Sequence, residues 1–394
     1  MESEAEPEAL GPAPVRGAKA VGAFIRREPV FSVALVAALV SMAFVPPNDA
    51  YADYFNWRLI ATLLCFMLCV AGLRAAGTFE GLARAFLPGR HRVVFVVAVL
   101  VALPFMLSIF ITNDVSLLTF VPFACLVLGF MGRPDLAAPT VVLQAIAANM
   151  GSMLTPFGNP HNLFIYEVFG TPVGEFLATT SPFTVFSAVL IALVIVALTA
   201  GGRGGTVSLA KEDLPESPLH PLDTALFAAA FLLCVLCVLK LVPVWAMLIV
   251  VCGLAAARNW RLFAKVDWFL LGTFLCFFVF SGNLAAIPAV HAALTGAMSA
   301  SPFWITLGAS QVISNVPATA LLSGFTADWR AVLLGADIGG LGTPVGSLEN
   351  LIALGLYRKM HPEGAAPLGR YLAIFLALNF SFLALNCGLR ALIG

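Results

Sequence analysis

The sequence predicts an all-α polytopic membrane protein, built as an inverted-topology repeat with two re-entrant hairpins and two broken helices. Three observations predict it. Of 394 residues, 60% are hydrophobic and 11% charged, against about 45–50% and about 25% in soluble domains. Apolar runs of membrane-spanning length recur along the chain, and two distant stretches share one unusual motif. Mean hydropathy is +0.97. This composition excludes a disordered, collagenous or disulfide-rich secreted protein. Lys+Arg and Asp+Glu both number 21, so net charge is zero; no nucleic-acid partner is expected, and charge must act locally.

Residues 1–28 are rich in Glu, Ala, Pro and Gly and read as a disordered cytoplasmic N-terminus. Arg26-Arg27 precede the first apolar run, and Ala50-Tyr51-Ala52 has the small-x-small pattern of a cleavage site. A signal peptide is the alternative to an uncleaved first span; the long acidic leader favours the span. A spanning helix needs about 20 apolar residues. Segments 30–46, 56–76, 182–200, 222–241, 243–257, 267–283 and 368–392 meet that need.

The first half, 29–200, contains a hairpin over 92–131, turning at Thr112-Asn113-Asp114, and a broken helix over 136–168. The polar segment 201–220 is the cytoplasmic linker. The second half, 221–394, contains a hairpin over 302–325 and a broken helix over 328–357. Segment 302–313 has 12 residues, a rise of about 18 Å, too short for about 30 Å of hydrocarbon. If each hairpin enters and leaves on one side and each broken helix crosses once, 17 of the 21 Lys and Arg fall on the N-terminal side. That bias makes the N-terminus cytoplasmic, and the two hairpins then open to opposite faces. The amphipathic pieces 78–88 and 286–298 each precede a hairpin and read as interfacial helices or plain connectors.

All eight cysteines lie in apolar runs and read as small buried hydrophobes, including the Cys234/Cys237 pair at redox-motif spacing. The five histidines are too scattered for a metal cluster. Neither a nucleophile–base constellation nor a Walker-type loop is present. An enzyme or an ATP-driven pump is therefore not expected, and no cofactor beyond a coupling ion is called for.

The repeat is read directly. Residues 149–165 (NMGSMLTPFGNPHNLFI) and 337–353 (DIGGLGTPVGSLENLIA) align without a gap at an offset of 188. Six of 17 positions are identical: Gly151/Gly339, Thr155/Thr343, Pro156/Pro344, Gly158/Gly346, Asn162/Asn350 and Leu163/Leu351. About one identity is expected from composition alone. Upstream, Thr112-Asn113 pairs with Ser314-Asn315 at the two hairpin turns.

In lipid, non-helical backbone persists only where it is buried in protein or lines a cavity. The glycines 151, 158, 339, 340 and 346 permit the breaks, and Pro156 and Pro344 prevent the helix from simply resuming. The half-helix ends favour anions at N–H groups and cations at carbonyls. Thr112, Asn113, Ser152, Thr155, Asn159, Asn162, Ser314, Asn315, Thr343, Ser347 and Asn350 add neutral oxygens and amides, and Pro317 follows the second turn. Asp114, His161, Asp337 and Glu349 are the ionisable residues of this zone. A carboxylate here without a basic partner is either neutral or holds a cation. Asp114 has the alternative of a helix cap, and His161 and Glu349 that of facing the aqueous mouth.

At Thr112-Asn113-Asp114, AANMGSMLTPFGNPHNL, Ser314-Asn315-Val316-Pro317 and DIGGLGTPVGSLENL, the chain resembles the ion-transporter superfamily. That group includes citrate-transporter-like permeases, arsenite permeases, type-D sodium–proton antiporters and divalent-anion:sodium symporters. The resemblance implies an integral protein of a bacterial-type plasma (inner) membrane, in contact with lipid and usually a homodimer. It also implies a scaffold plus an elevator-type transport domain carrying both hairpins. By position it assigns one Na⁺ to Thr112, Asn113 and Gly151 and a second to Ser314, Asn315 and Gly339. Substrate would lie between the turns. Asp114 and Val316 depart from the symporter pattern and point toward the arsenite-permease and antiporter side. The function expected is secondary transport of a small anion or oxyanion coupled to Na⁺ or H⁺. Sodium/proton antiport and arsenite-type efflux are alternatives, and a channel is a further one.

Overall fold

The computed structural model describes residues 28–49, 51–200, 205–210, 219–361 and 368–393. The predicted N-terminal segment, up to residue 27, and the linker positions 201–204 and 211–218 lie outside the described residues, as does Ala50 of the cleavage-like pattern.

The chain is an integral membrane protein made almost wholly of helices. Leaving aside the single turn Tyr51–Tyr54, the α-helices in order are α1 (Pro29–Phe44), α2 (Trp57–Ala75), α3 (Thr78–Phe86), α4 (Val93–Ser108), α5 (Asn113–Phe130), α6 (Ala137–Ser152), α7 (Pro160–Phe169), α8 (Val173–Thr199) and α9 (Pro221–Val238). Then follow α10 (Val244–Asn259), α11 (Trp268–Ala286), α12 (Pro288–Ala300), α13 (Pro302–Ile313), α14 (Asn315–Leu322), α15 (Trp329–Gly339), α16 (Leu348–Met360) and α17 (Leu368–Ile393). Side-chain caps fix several starts. Asn56 accepts from Leu59 N at α2, Asp267 from Leu270 N at α11 and Asp328 from Ala331 N at α15.

Among the described residues, seven helices are long and apolar enough to cross a membrane: α2, α5, α8, α9, α10 with its following turn, α11 and α17. Six of them answer the expected spans. The expected span 30–46 forms only the 16-residue α1, which rises about 24 Å. The expected span 182–200 starts earlier, at Val173, because Pro182 is held inside α8; a helix in lipid tolerates an interior proline when neighbours re-satisfy the freed carbonyl.

The periphery is greasy: only 22% of the α17 span and 28% of the α9 span are buried inside the protein, as lipid-facing helices require. The centre is α6, every residue of which is buried, wrapped by α4, α5, α8, α16 and α17. On the other side α15 packs on α13 and α14, and α7 lies against both α14 and α15.

Both predicted hairpins appear as paired helices. Four residues join α4 to α5, whereas Ser314 alone joins α13 to α14, at φ +72°. The legs of the second pair have 12 and 8 residues, too short to span. The 18-residue α5, in contrast, is long enough to cross unaided, so length alone does not mark it as re-entrant. The two predicted broken helices are interrupted at 153–159 and 340–347. The pieces expected to be amphipathic form α3 and α12.

One feature departs from an all-helical chain and from a plain linker. Gly89–Arg92 (β1) pairs antiparallel with Thr206–Leu209 (β2), placing Gly89 opposite Leu209 and Arg92 opposite Thr206. Gly89-Arg90-His91-Arg92 has no strand-like composition, so a strand paired with it at separations of 114 to 120 residues decides its conformation.

Candidate functional site

Each break leaves the last carbonyls of one half-helix without intrahelical donors. Asn162, on α7, donates to the carbonyls of Ser152 (3.2 Å) and Thr155 (3.4 Å). Asn350, on α16, donates to those of Gly340 (2.9 Å) and Thr343 (3.3 Å). Donor and acceptors in the two sets are all 188 residues apart, so the motif's shared Asn performs one task twice. Asparagine suits it because a single NH₂ carries two donors.

The hairpin turns lock onto the breaks in matching ways. Thr155 Oγ1 donates to the Ile109 carbonyl (2.5 Å) and Thr343 Oγ1 to the Gln311 carbonyl (2.9 Å). Asn113 Oδ1 accepts from Asp114 N and Asn315 Oδ1 from Val316 N. These hairpin positions are 202 apart. Asn113 Nδ2 also reaches Ser152 Oγ (3.3 Å), and Asn315 N donates to the Gly346 carbonyl (3.0 Å). Close approach explains two glycines. A Cβ on Gly151 would collide with the Phe105 carbonyl, and one on Gly339 would stand 2.8 Å from Ser310 Cβ.

The breaks also meet each other. Asn149 Nδ2 donates to Ser347 Oγ (3.1 Å) and Asn350 Oδ1 (3.3 Å). His161 Nε2 lies 3.0 Å from Asp337 Oδ1, with both side chains buried. Two expectations are corrected here. Asp337 has an imidazole partner, supplied from a residue 176 positions earlier, and His161 and Glu349 do not face a mouth, being 0% and 5% exposed.

Thr112, Asn113, Ser152, Thr155, Pro156, Gly158, Asn159 and Asn162 are buried around the first break. Ser314, Asn315, Pro317, Asp337, Gly339, Gly340, Gly346, Ser347 and Asn350 are buried around the second, where Thr343 and Pro344 are half-buried. Several buried atoms have no hydrogen-bond partner among the described residues: Asn149 Oδ1, Asn159 Oδ1, Asn162 Oδ1, Asp337 Oδ2, Glu349 Oε2 and His161 Nδ1. Five of these six are acceptors. Among the described residues, no three of His, Cys, Asp and Glu form a metal-ligand group, so any ion here would rest mainly on neutral oxygens.

Asp114 stands apart from Asp337. It is half-buried and, with Thr112, lines a cavity of about 730 Å³ that Arg74, Arg261 and Lys265 also line. Asp114 thus shares a cavity with three basic side chains, although none of them forms an ion pair with it among the described residues. Sequence reasoning missed Gln311. Its Nε2 donates to the Gly339 (2.6 Å) and Leu341 (2.9 Å) carbonyls, while its Oε1 accepts from Thr343 N (2.9 Å). A lone amide on the short apolar leg 302–313 was the available signal. The equivalent position in the first half is Ile109, whose side chain cannot hydrogen-bond, so this particular tie is made at the second break alone.

The family described as citrate transporter matches residues 21–328. The chain is 29% identical to the inner membrane protein YbiR of Escherichia coli over 332 residues, covering 82% of this chain and 86% of YbiR. It is 28% identical to the uncharacterized transporter MJ0456 of Methanocaldococcus jannaschii, covering 85% and 89%. It is 26% identical to the uncharacterized transporter Mb2703 of Mycobacterium bovis, covering 82% and 84%.

Proposed function

The chain belongs to the citrate transporter family and is a membrane transporter; from that premise we propose secondary active transport of a small anion or oxyanion, coupled to Na⁺ or H⁺. The observation that carries this reading is the duplicated bonding of Asn162 and Asn350 across two breaks that touch each other. Paired interruptions of this kind fit an inverted repeat whose binding site lies near the bilayer midplane. The turns at Asn113 and Asn315 supply amide donors for an anion. The oxygens of Thr112 and Ser314 and the carbonyl ends at Gly151 and Gly339 suit two Na⁺ ions. In this reading both hairpins and both breaks move together against a scaffold formed by helices such as α2 and α9, in a homodimer. The protein sits in the inner membrane with its N-terminus in the cytoplasm.

A second reading, sodium/proton antiport, draws on the His161–Asp337 contact. A buried acid–base pair holds a proton without net charge, and a cation displaces it. Vesicle flux separates the two readings. Na⁺- or H⁺-driven uptake of citrate or an arsenical oxyanion supports the first. Na⁺/H⁺ exchange with no added solute supports the second. Flux through wild-type vesicles that neither saturates nor responds to an ion gradient would remove both and leave a channel.

A further inference from the structure

The cavity beside the first hairpin turn meets the candidate site only at Thr112 and Asp114. It encloses about 730 Å³ and is lined by Arg74, Arg261, Lys265, Asn259, Asp267, Thr112 and Asp114 among others. Its three basic side chains come from two separated segments. Arg74 ends α2, while Arg261 and Lys265 lie in the turn Trp260–Lys265 that follows α10. Elsewhere, Arg58 pairs with Glu167, Arg258 with Asp223 and Arg330 with Glu175. Arg74, Arg261 and Lys265 form no ion pair among the described residues, although two carboxylates line the same cavity. Asp267 is engaged in capping α11 through Leu270 N (2.8 Å). Asp114 lies in the first turn of α5, whose N-terminal N–H groups favour negative charge.

We propose that this cavity is an anion-docking vestibule in which Arg74, Arg261 and Lys265 capture a small multiply charged carboxylate or oxyanion and deliver it to the turn at Thr112. The inference rests on the transport reading and adds a station to it. Three cations against two carboxylates leave the lining net positive. Long basic side chains at an open mouth raise the local concentration of anions and their rate of entry, in a salt-dependent way. Asp114 then stands where it limits how tightly the anion is held, so that docking does not become a trap. All three basic residues fall on the cytoplasmic side under the positive-inside assignment, so the vestibule serves that face alone. An anionic lipid headgroup has the same chemistry as the proposed solute. The cavity's continuity with Thr112 and Asp114, rather than with the lipid-facing helix surfaces alone, favours the solute.

The test uses the full chain in phosphatidylcholine nanodiscs, with citrate and inorganic phosphate as soluble probes and phosphatidylglycerol nanodiscs as the lipid arm. At least one probe should bind, and R74Q/R261Q/K265Q should weaken it about tenfold, whereas R74K/R261K/K265R should bind as the wild type does. Asp114→Asn should tighten it. In vesicles of defined orientation, R74Q/R261Q/K265Q should raise KM only for anion offered from the cytoplasmic face, with kcat kept. Failure of both probes to bind, equal binding by wild type and R74Q/R261Q/K265Q, or binding abolished by phosphatidylglycerol would overturn the vestibule. A wild type that binds a probe but moves no anion in either direction would sink the transport reading instead.

Discussion

His161 and Asp337 face each other at 3.0 Å across the two halves of the chain, each on a half-helix bordering a break. Removing one partner of a buried pair leaves the other uncompensated, at a cost of about 3–5 kcal/mol. His161→Gln and Asp337→Asn should each lower the melting temperature in detergent. The double variant should recover part of the loss, with a coupling of about 0.5–3 kcal/mol. Strictly additive losses would mean that the two side chains do not interact.

Asn113→Ala and Asn315→Ala should abolish solute flux in proteoliposomes while leaving the purified protein folded and of unchanged oligomeric size. Each removes the amide at a turn that meets a break. Retained flux in either variant would remove that turn from the binding site.

Asn162→Ala and Asn350→Ala should both destabilise the protein, because each strips one of two equivalent pairs of carbonyls of its side-chain donor, and Asn350→Ala should cost more, since it also loses the bond from Asn149 Nδ2. A buried polar group left unsatisfied costs about 1–3 kcal/mol. Thermal unfolding of both variants measures this, and a smaller loss for Asn350→Ala than for Asn162→Ala would overturn it.

Gly151→Ala should reduce the yield of folded protein sharply, since the added methyl meets the Phe105 backbone, which cannot rotate away. Gly253→Ala is the control: a Cβ there meets nothing within 4 Å, and alanine gains about 0.5–1 kcal/mol over glycine inside a helix. Size-exclusion profiles of the two variants give the comparison.

Much of this architecture was legible in the sequence because lipid imposes few solutions. Apolar length gave the spans, and the shared Thr-Pro-x-Gly-x-x-x-Asn-Leu gave the breaks and singled out Asn162 and Asn350, though as site amides and not as the residues that mend the breaks. Less legible was what touches what. The partnership of His161 with Asp337 depends on how α7 and α15 dock, and no local pattern encodes that. Gln311 sat unnoticed because one amide on a 12-residue apolar leg resembles ordinary helix composition. The start of α8 was misjudged for a related reason. Proline marks a boundary in water more reliably than in a packed membrane protein, where Pro182 sits within α8.

The ribbon between Gly89–Arg92 and Thr206–Leu209 clasps the chain just before α4 and again soon after α8, and Val93 N adds a bond to the Gly205 carbonyl (2.9 Å). Entry and exit of everything between are thereby knotted at a single point outside the greasy belt. That stretch hangs from the clasp like a pendant from its bail. If it shifts, both of its threads travel together, and the sideways tug of one cannot unpick the other.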